Sequence, residues 1–172
     1  MRKFVLFLLA LALAAPAVGA AALMRSAGDG TLSVEDGNGR VVIVARGGVI
    51  GRFDSGSVTI QDRTPADSFD AKVWGASRDR IVGETSERHF GTNVRFRLIG
   101  GEFRIVIVGK GIDVSAVGTG NVILRGDGKT PGVYSLEGED CGSPRTKCRE
   151  LPELPRTFAL GTDAGSPSRI VP

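Results

Sequence analysis

Two cysteines, one histidine and a short alternation of arginines are the residues of this 172-residue chain best suited to form a site. Cys141 and Cys148 are its only cysteines. In an oxidising compartment such a pair forms a disulfide, and Gly142 and Pro144 between them allow a tight loop. Zinc needs further ligands, and the sole histidine, His89, is distant in sequence. The pair is therefore expected as a local staple, with no metal site. His89 is also the only imidazole available to a Ser-His-Asp or Cys-His system. It lies in the polar stretch Ser86-Glu87-Arg88-His89-Phe90, no serine sits in a Gly-x-Ser-x-Gly elbow, and it reads as a surface residue. Carboxylate pairs that cleave glycosides are set by spatial separation, and no Asp or Glu pair stands out along the chain. No catalytic residue is assigned.

Arg95 and Arg97 alternate with Phe96 and Leu98. In a strand the apolar pair faces the core and the two arginines share the outer face. With Arg104 on a neighbouring strand they make a basic strip suited to an anionic glycan or a lipid headgroup. The competing reading is an ordinary solvated face with glutamate partners. Other motifs dissolve on inspection. Asp36-Gly37-Asn38-Gly39 begins like a calcium loop but has Arg40 at the fifth position and Gly47 at the twelfth, so it is read as a hairpin turn. Gly126-Asp127-Gly128-Lys129-Thr130 ends like a phosphate loop, but Ile123 stands where the first glycine belongs. Arg125-Gly126-Asp127 is a chance tripeptide. No cofactor-binding motif is present.

The elements that must position these residues begin after a leader. Met1-Arg2-Lys3 is followed by the apolar run Phe4–Ala15, then Pro16 and small residues, the order of a secretory signal peptide. Cleavage is expected after Ala20, with Ala22 as the alternative. An uncleaved anchor is the rival, against which Pro16 and Gly19 argue. Removing residues 1–20 takes Arg2 and Lys3 and leaves 20 basic and 19 acidic residues, net +1. That balance gives no case for nucleic acid. The expected location is secreted, periplasmic or at the cell envelope. The partner is undetermined, with an envelope protein or a glycan as candidates and membrane contact only if the leader is retained.

The mature chain suits one domain. Its organisation is read as a short segment 21–29, a β-domain 30–138, and a Cys-loop with a Pro-rich, partly disordered tail over 139–172. Glycine makes up 25 of 172 residues and punctuates β-branched runs such as Val41–Val44, Val58–Ile60 and Ile105–Val108, and the breaks at 36–39, 46–48 and 54–56 are expected to be hairpin turns. Shifted by 64 residues, 31–62 lies on 95–126 without a gap: Gly37 meets Gly101, Val42–Val44 meet Val106–Val108, and Gly56 meets Gly120. The fold class is therefore all-β, with two tandem copies of a four- to five-strand unit (30–75 and 94–138) forming a sandwich or barrel. A β-solenoid is the alternative. Residues 76–93 between the copies are read as a surface connection with one short strand at Arg80–Val82. Consecutive apolar residues at 41–44 and 105–108 imply burial on both faces, under a loop, under the tail or at a subunit interface.

The segments VVIVARGGVIGRFDSGSVTI and RFRLIGGEFRIVIVGKGIDVSAVGTGNVIL resemble the small exported Gly-rich β-repeat proteins of high-GC bacteria, a group with no assigned activity. The resemblance covers about residues 30–138 and implies no catalytic residues. The leading expectation is an exported, non-enzymatic β-domain with a structural or binding role. A small secreted hydrolase or glycan-modifying enzyme is the alternative, and a concave, carboxylate-lined cleft would favour it.

Overall fold

The structure is a computed structural model that describes residues 28–141 and 147–161. The expected leader, the start of the short N-terminal segment, the tip of the Cys loop and the tail from residue 162 lie outside the described residues. Every regular element described is a strand: β1 (Gly30–Asp62), β2 (Asp70–Gly83), β3 (Ser86–Gly126), β4 (Val133–Ser135), β5 (Arg149–Glu150) and β6 (Arg156–Leu160). The sheet is antiparallel, ordered β2-β3-β1-β4-β5 with β6 also on β3, and it does not close on itself.

β1 and β3 contain 33 and 41 residues. Straight, at about 3.3 Å per residue, they would run about 110 and 135 Å, far longer than a domain of this size. They bend instead, and pair with each other twice. One ladder runs from Gly30 opposite Gly118 to Gln61 opposite Ser86, and a second from Gly39 opposite Gly126 to Asp62 opposite Phe103. Val41 thus lies between Ile107 and Leu124, and Ile105 lies between Ile43 and Ile60.

The pairing divides the sheet into two panels through which the long strands pass alternately. Residues 30–34, 48–53, 94–99 and 113–117 form the first, flanked by 70–74 and β4. Residues 39–46, 55–62, 86–92, 102–110 and 119–126 form the second, flanked by 76–83 and β6. One hydrophobic cluster draws side chains from both, including Leu32, Phe53, Phe96 and Leu98 from the first and Ile43, Phe103, Ile105 and Leu124 from the second.

The glycine-rich breaks, expected to be hairpin turns, do not reverse the chain at 36–39, 46–48 or 54–56. They are bends inside a continuous strand. At one bend Gly47 and Gly118 face each other with φ of 146° and 150°. A Cβ on Gly47 would overlap the Val117 carbonyl oxygen, and one on Gly118 would overlap that of Arg46. The backbones cross too closely for a side chain, and the left-handed φ swings each strand into the next panel. Residues 76–93 also differ from the surface connection expected of them. They are strand except at Glu84 and Thr85, because β2 adds an edge to both panels. Val42 and Val106, at the centre of the doubly apolar runs, pair with each other on the side away from the core, yet they are only 4% and 5% exposed within the single chain.

Candidate ligand-binding groove

Register places side chains in rows across the outer side of the first panel. Partners directly opposite share a face, about 4.8 Å apart from strand to strand. One row runs Trp74, Arg95, Arg52, Asp113, spanning about 14 Å. The next runs Lys72, Arg97, Ile50, Ser115. Phe96 and Leu98, between the arginines in sequence, are buried, while Arg95 is exposed and Arg97 half-buried. All members of the two rows except Lys72 line a groove of about 840 Å³, mostly apolar, to which Gly51, Gly75 and Asn93 contribute.

Trp74, the only tryptophan, stands at one end of the groove and is 50% exposed. Its placement depends on a bulge. The pairing of β2 with β3 slips between Trp74 and Ala76, Gly75 has φ 81°, and Asn93 opposite the slip has φ 55°. Bulges of this kind re-aim the side chain beside them, and a left-handed non-glycine residue is costly unless its surroundings hold it there.

Most charge in the groove is already matched. Asp113 Oδ2 accepts from Arg52 Nε at 2.8 Å and lies 2.6 Å from Arg52 Nη2, while Oδ1 accepts the Asp36 backbone N–H at 2.9 Å. The hydrogen bond to Asp113, and then its charge, hold the Arg52 guanidinium above its ordinary pKa. Arg97 Nη2 donates to Asp70 at 2.9 Å, and Lys72 lies 3.8 Å from the same carboxylate. Two features stay open. Arg95 makes no ion pair or side-chain hydrogen bond among the described residues, and Arg97 Nε is buried without an acceptor. The groove thus offers an aromatic face for a flat apolar surface and, beside it, a guanidinium for an anion.

Of the three arginines expected to form one strip, the structure brings Arg95 and Arg97 together and places Arg104 on the second panel, between Val44 and Gln61. The chain bends at Gly100 and Gly101, with φ of 77° and 64°, between Arg97 and Arg104. Trp74 and Arg52 were not anticipated. Their partner Arg95 is 21 and 43 positions away, and only register unites them. The single local sign was a bulky aromatic immediately before a glycine.

A second cavity, about 550 Å³, opens where the core faces of 71–73 and 79–89 extend past the packed cluster. Ile60, Phe69 and Val73 line its apolar part, and Asp62, Asp79, Glu84 and Glu87 its polar part. His89 shares the core face with Val58, so it does not lie out on the surface as expected, and its side chain is 12% exposed. Nδ1 lies 2.7 Å from Asp79 Oδ1 and Nε2 lies 3.6 Å from Glu87 Oε2. Both ring nitrogens face carboxylates, and no hydroxyl or thiol is bonded to the ring among the described residues. No described group of three His, Cys, Asp or Glu side chains is placed to hold a metal ion.

Cys141 and Cys148 form a disulfide with Cα atoms 5.6 Å apart, within the usual range. The Cys141 backbone N–H donates to Glu35 Oε1 at 2.7 Å, tying this loop to β1. No described helix is long and apolar enough to cross a membrane. No protein-family model matches the chain, and neither the curated proteins nor the solved structures contain a significant match.

Proposed function

We propose that this chain is an exported, non-enzymatic β-domain that acts at the cell envelope or outside the cell by binding a saccharide in the outer groove. One observation carries the reading: the register sets a half-exposed tryptophan beside an arginine that has no ion-pair partner among the described residues. A sugar ring presents an apolar face to an aromatic side chain, and a carboxylate on that sugar would meet Arg95 with a charge-assisted bond. Asp113 and Ser115 add acceptors for hydroxyl groups. Export rests on the leader sequence, and the disulfide is of the kind an oxidising compartment permits.

The architecture we infer is a two-layer sandwich in which an antiparallel ribbon of β1 and β3 is wound into both layers, in the manner of a jelly roll. The shared core cluster supports this. The 64-residue offset fits the same arrangement, because it exchanges paired positions: Val41 opposite Ile107 becomes Ile105 opposite Ile43. We read the two long strands as related halves.

The inner cavity favours a second reading, a small secreted hydrolase, since it is concave and lined by carboxylates. We rank it lower because among the described residues no hydroxyl or thiol is bonded to its single histidine, whose Nδ1 is held by Asp79.

Equilibrium dialysis against a uronic-acid disaccharide, beside its neutral methyl ester, tests the leading reading. The mature wild-type protein should retain the acidic disaccharide, and Trp74→Ala should not. Equal retention by the two proteins would rule out the groove as the binding site. Release of reducing sugar by the wild type, abolished in Glu87→Gln, would move the function to the cavity.

A further inference from the structure

The rows on the outer side of the second panel show a different pattern of charge. One row runs Arg125, Arg40, Val108, Ser57, Phe90, Arg78, and the next contains Ile123, Val42, Val106, Thr59, Arg88, Arg80. Arg104 follows on the same side, two residues along from Val106. Six arginines thus share one face about 24 Å across, at about 4.8 Å per strand. Two pairs are directly opposed, Arg40 with Arg125 and Arg80 with Arg88. Like charges opposite one another on a sheet are destabilising, and sheets ordinarily relieve this with interspersed acids. Here none of the six makes an ion pair among the described residues. The only acid in the paired rows of this side, Glu102, is already matched to Arg63 at 3.0 Å. The imbalance is local, since the mature chain is nearly neutral and its acids cluster elsewhere, four of them around the inner cavity.

We infer that this face binds a linear polyanion, specifically an acidic polysaccharide with carboxylates repeated along its chain. The inference is independent of the Trp74 groove, which lies on the other panel. The apolar middle of the face is low, with Val42 and Val106 nearly buried, so an extended chain can lie across it and meet guanidinium groups at both ends. Two features argue against a nucleic acid. Base recognition on a sheet uses open aromatic faces, and the one aromatic here, Phe90, is covered by Arg78 at 4.7 Å and approached by Arg88 at 5.7 Å. A lipid surface is disfavoured because the exposed apolar side chains of these two rows, Val108 and Ile123, are short and only 40% and 36% exposed.

The test uses the mature, disulfide-intact protein and polygalacturonate, with dextran as the neutral counterpart, anionic phosphatidylglycerol vesicles and duplex DNA. Two double variants, Arg40→Gln with Arg125→Gln and Arg80→Gln with Arg88→Gln, remove the opposed pairs. The expected result is binding to polygalacturonate and not to dextran, weakened about tenfold or more between about 50 and 200 mM salt, as counterion release requires. Each double variant should weaken it by about tenfold, while Trp74→Ala retains it. The midpoint of thermal unfolding should not fall in the Arg40→Gln with Arg125→Gln variant, because repulsion has been relieved, whereas Arg88→Gln also removes the hydrogen bond from Arg88 Nε to Thr59 Oγ1 at 2.8 Å. Equal affinity for dextran, or polygalacturonate binding that survives both double variants, would overturn the inference. Arginine-dependent binding to vesicles or DNA without binding to polygalacturonate would overturn the choice of a saccharide. Loss of polygalacturonate binding in Trp74→Ala alone would assign it to the groove.

Discussion

Replacing Gly47 by alanine places a methyl group where the two long strands cross. At φ 146° an alanine is strained, and its Cβ would overlap the Val117 carbonyl oxygen, with Gly118 Cα close behind. Backbone cannot swing aside as a long side chain can. An unfavourable φ costs about 1–3 kcal/mol, and parting the crossing adds to it, for a total loss of about 2–4 kcal/mol. At about 2–4 °C per kcal/mol, the unfolding midpoint should fall by about 5–15 °C. Gly83→Ala is the internal control. Its added Cβ would find only the Ser86 side chain, at 3.9 Å, and its φ is not left-handed. Restricting the unfolded chain there should leave stability unchanged or raise it by up to about 1 kcal/mol. Urea and thermal melts of the two variants, with the disulfide intact, make the comparison. If the two fall within about 1 kcal/mol of each other, the crossing does not bring the strands into contact and the winding of β1 against β3 is misdescribed.

Reducing the Cys141–Cys148 bridge opens a loop closed over seven positions, worth about 2–3 kcal/mol at most on a chain-entropy basis. The core cluster does not depend on it, so the reduced protein should still melt cooperatively, only a few degrees lower, as followed by far-UV circular dichroism. Ile105→Ala removes a fully buried side chain flanked by Ile43 and Ile60 and should cost about 2–5 kcal/mol, read from urea melts. Asp127 Oδ1 accepts the backbone N–H groups of Lys129 and then Thr130, each at 2.9 Å, and these bonds lower its pKa. A carboxylate lowered on folding stabilises above its unfolded pKa, and that contribution fades as pH falls through the folded value. Protection of the Lys129 and Thr130 amides in hydrogen exchange should therefore persist below the ordinary aspartate value and be lost only in stronger acid. Asp127→Asn should remove this pH dependence.

The all-β class was legible because glycine-punctuated β-branched runs leave no helical period, and the cysteine pair because no other thiol exists. Inward Phe96 and Leu98 against outward Arg95 and Arg97 followed from simple alternation. Alternation is a rule within one run, however, and it fails across a bend. Arg104 was therefore grouped with Arg95 and Arg97, although Gly100 and Gly101 send it to the other panel. The glycine breaks at 36–39 and 46–48 were read as reversals for a related reason. A left-handed glycine serves a hairpin and a bulge equally, and the choice depends on which distant strand lies alongside. His89 was placed at the surface on the polarity of its neighbours, but register with Val58 turns it inward. The Trp74 row could not be read at all, since it joins residues 52, 74, 95 and 113 through three pairings of sequence-distant strands.

The saccharide groove is the central functional claim, and Trp74 is its own reporter as the only tryptophan in the chain. The direct measurement is intrinsic fluorescence during titration with a short oligogalacturonide, beside its neutral methyl ester. A saturable shift in emission with the acid, weakened about tenfold in Arg95→Ala, is the predicted result. Emission unchanged by either sugar up to millimolar concentration would contradict the account.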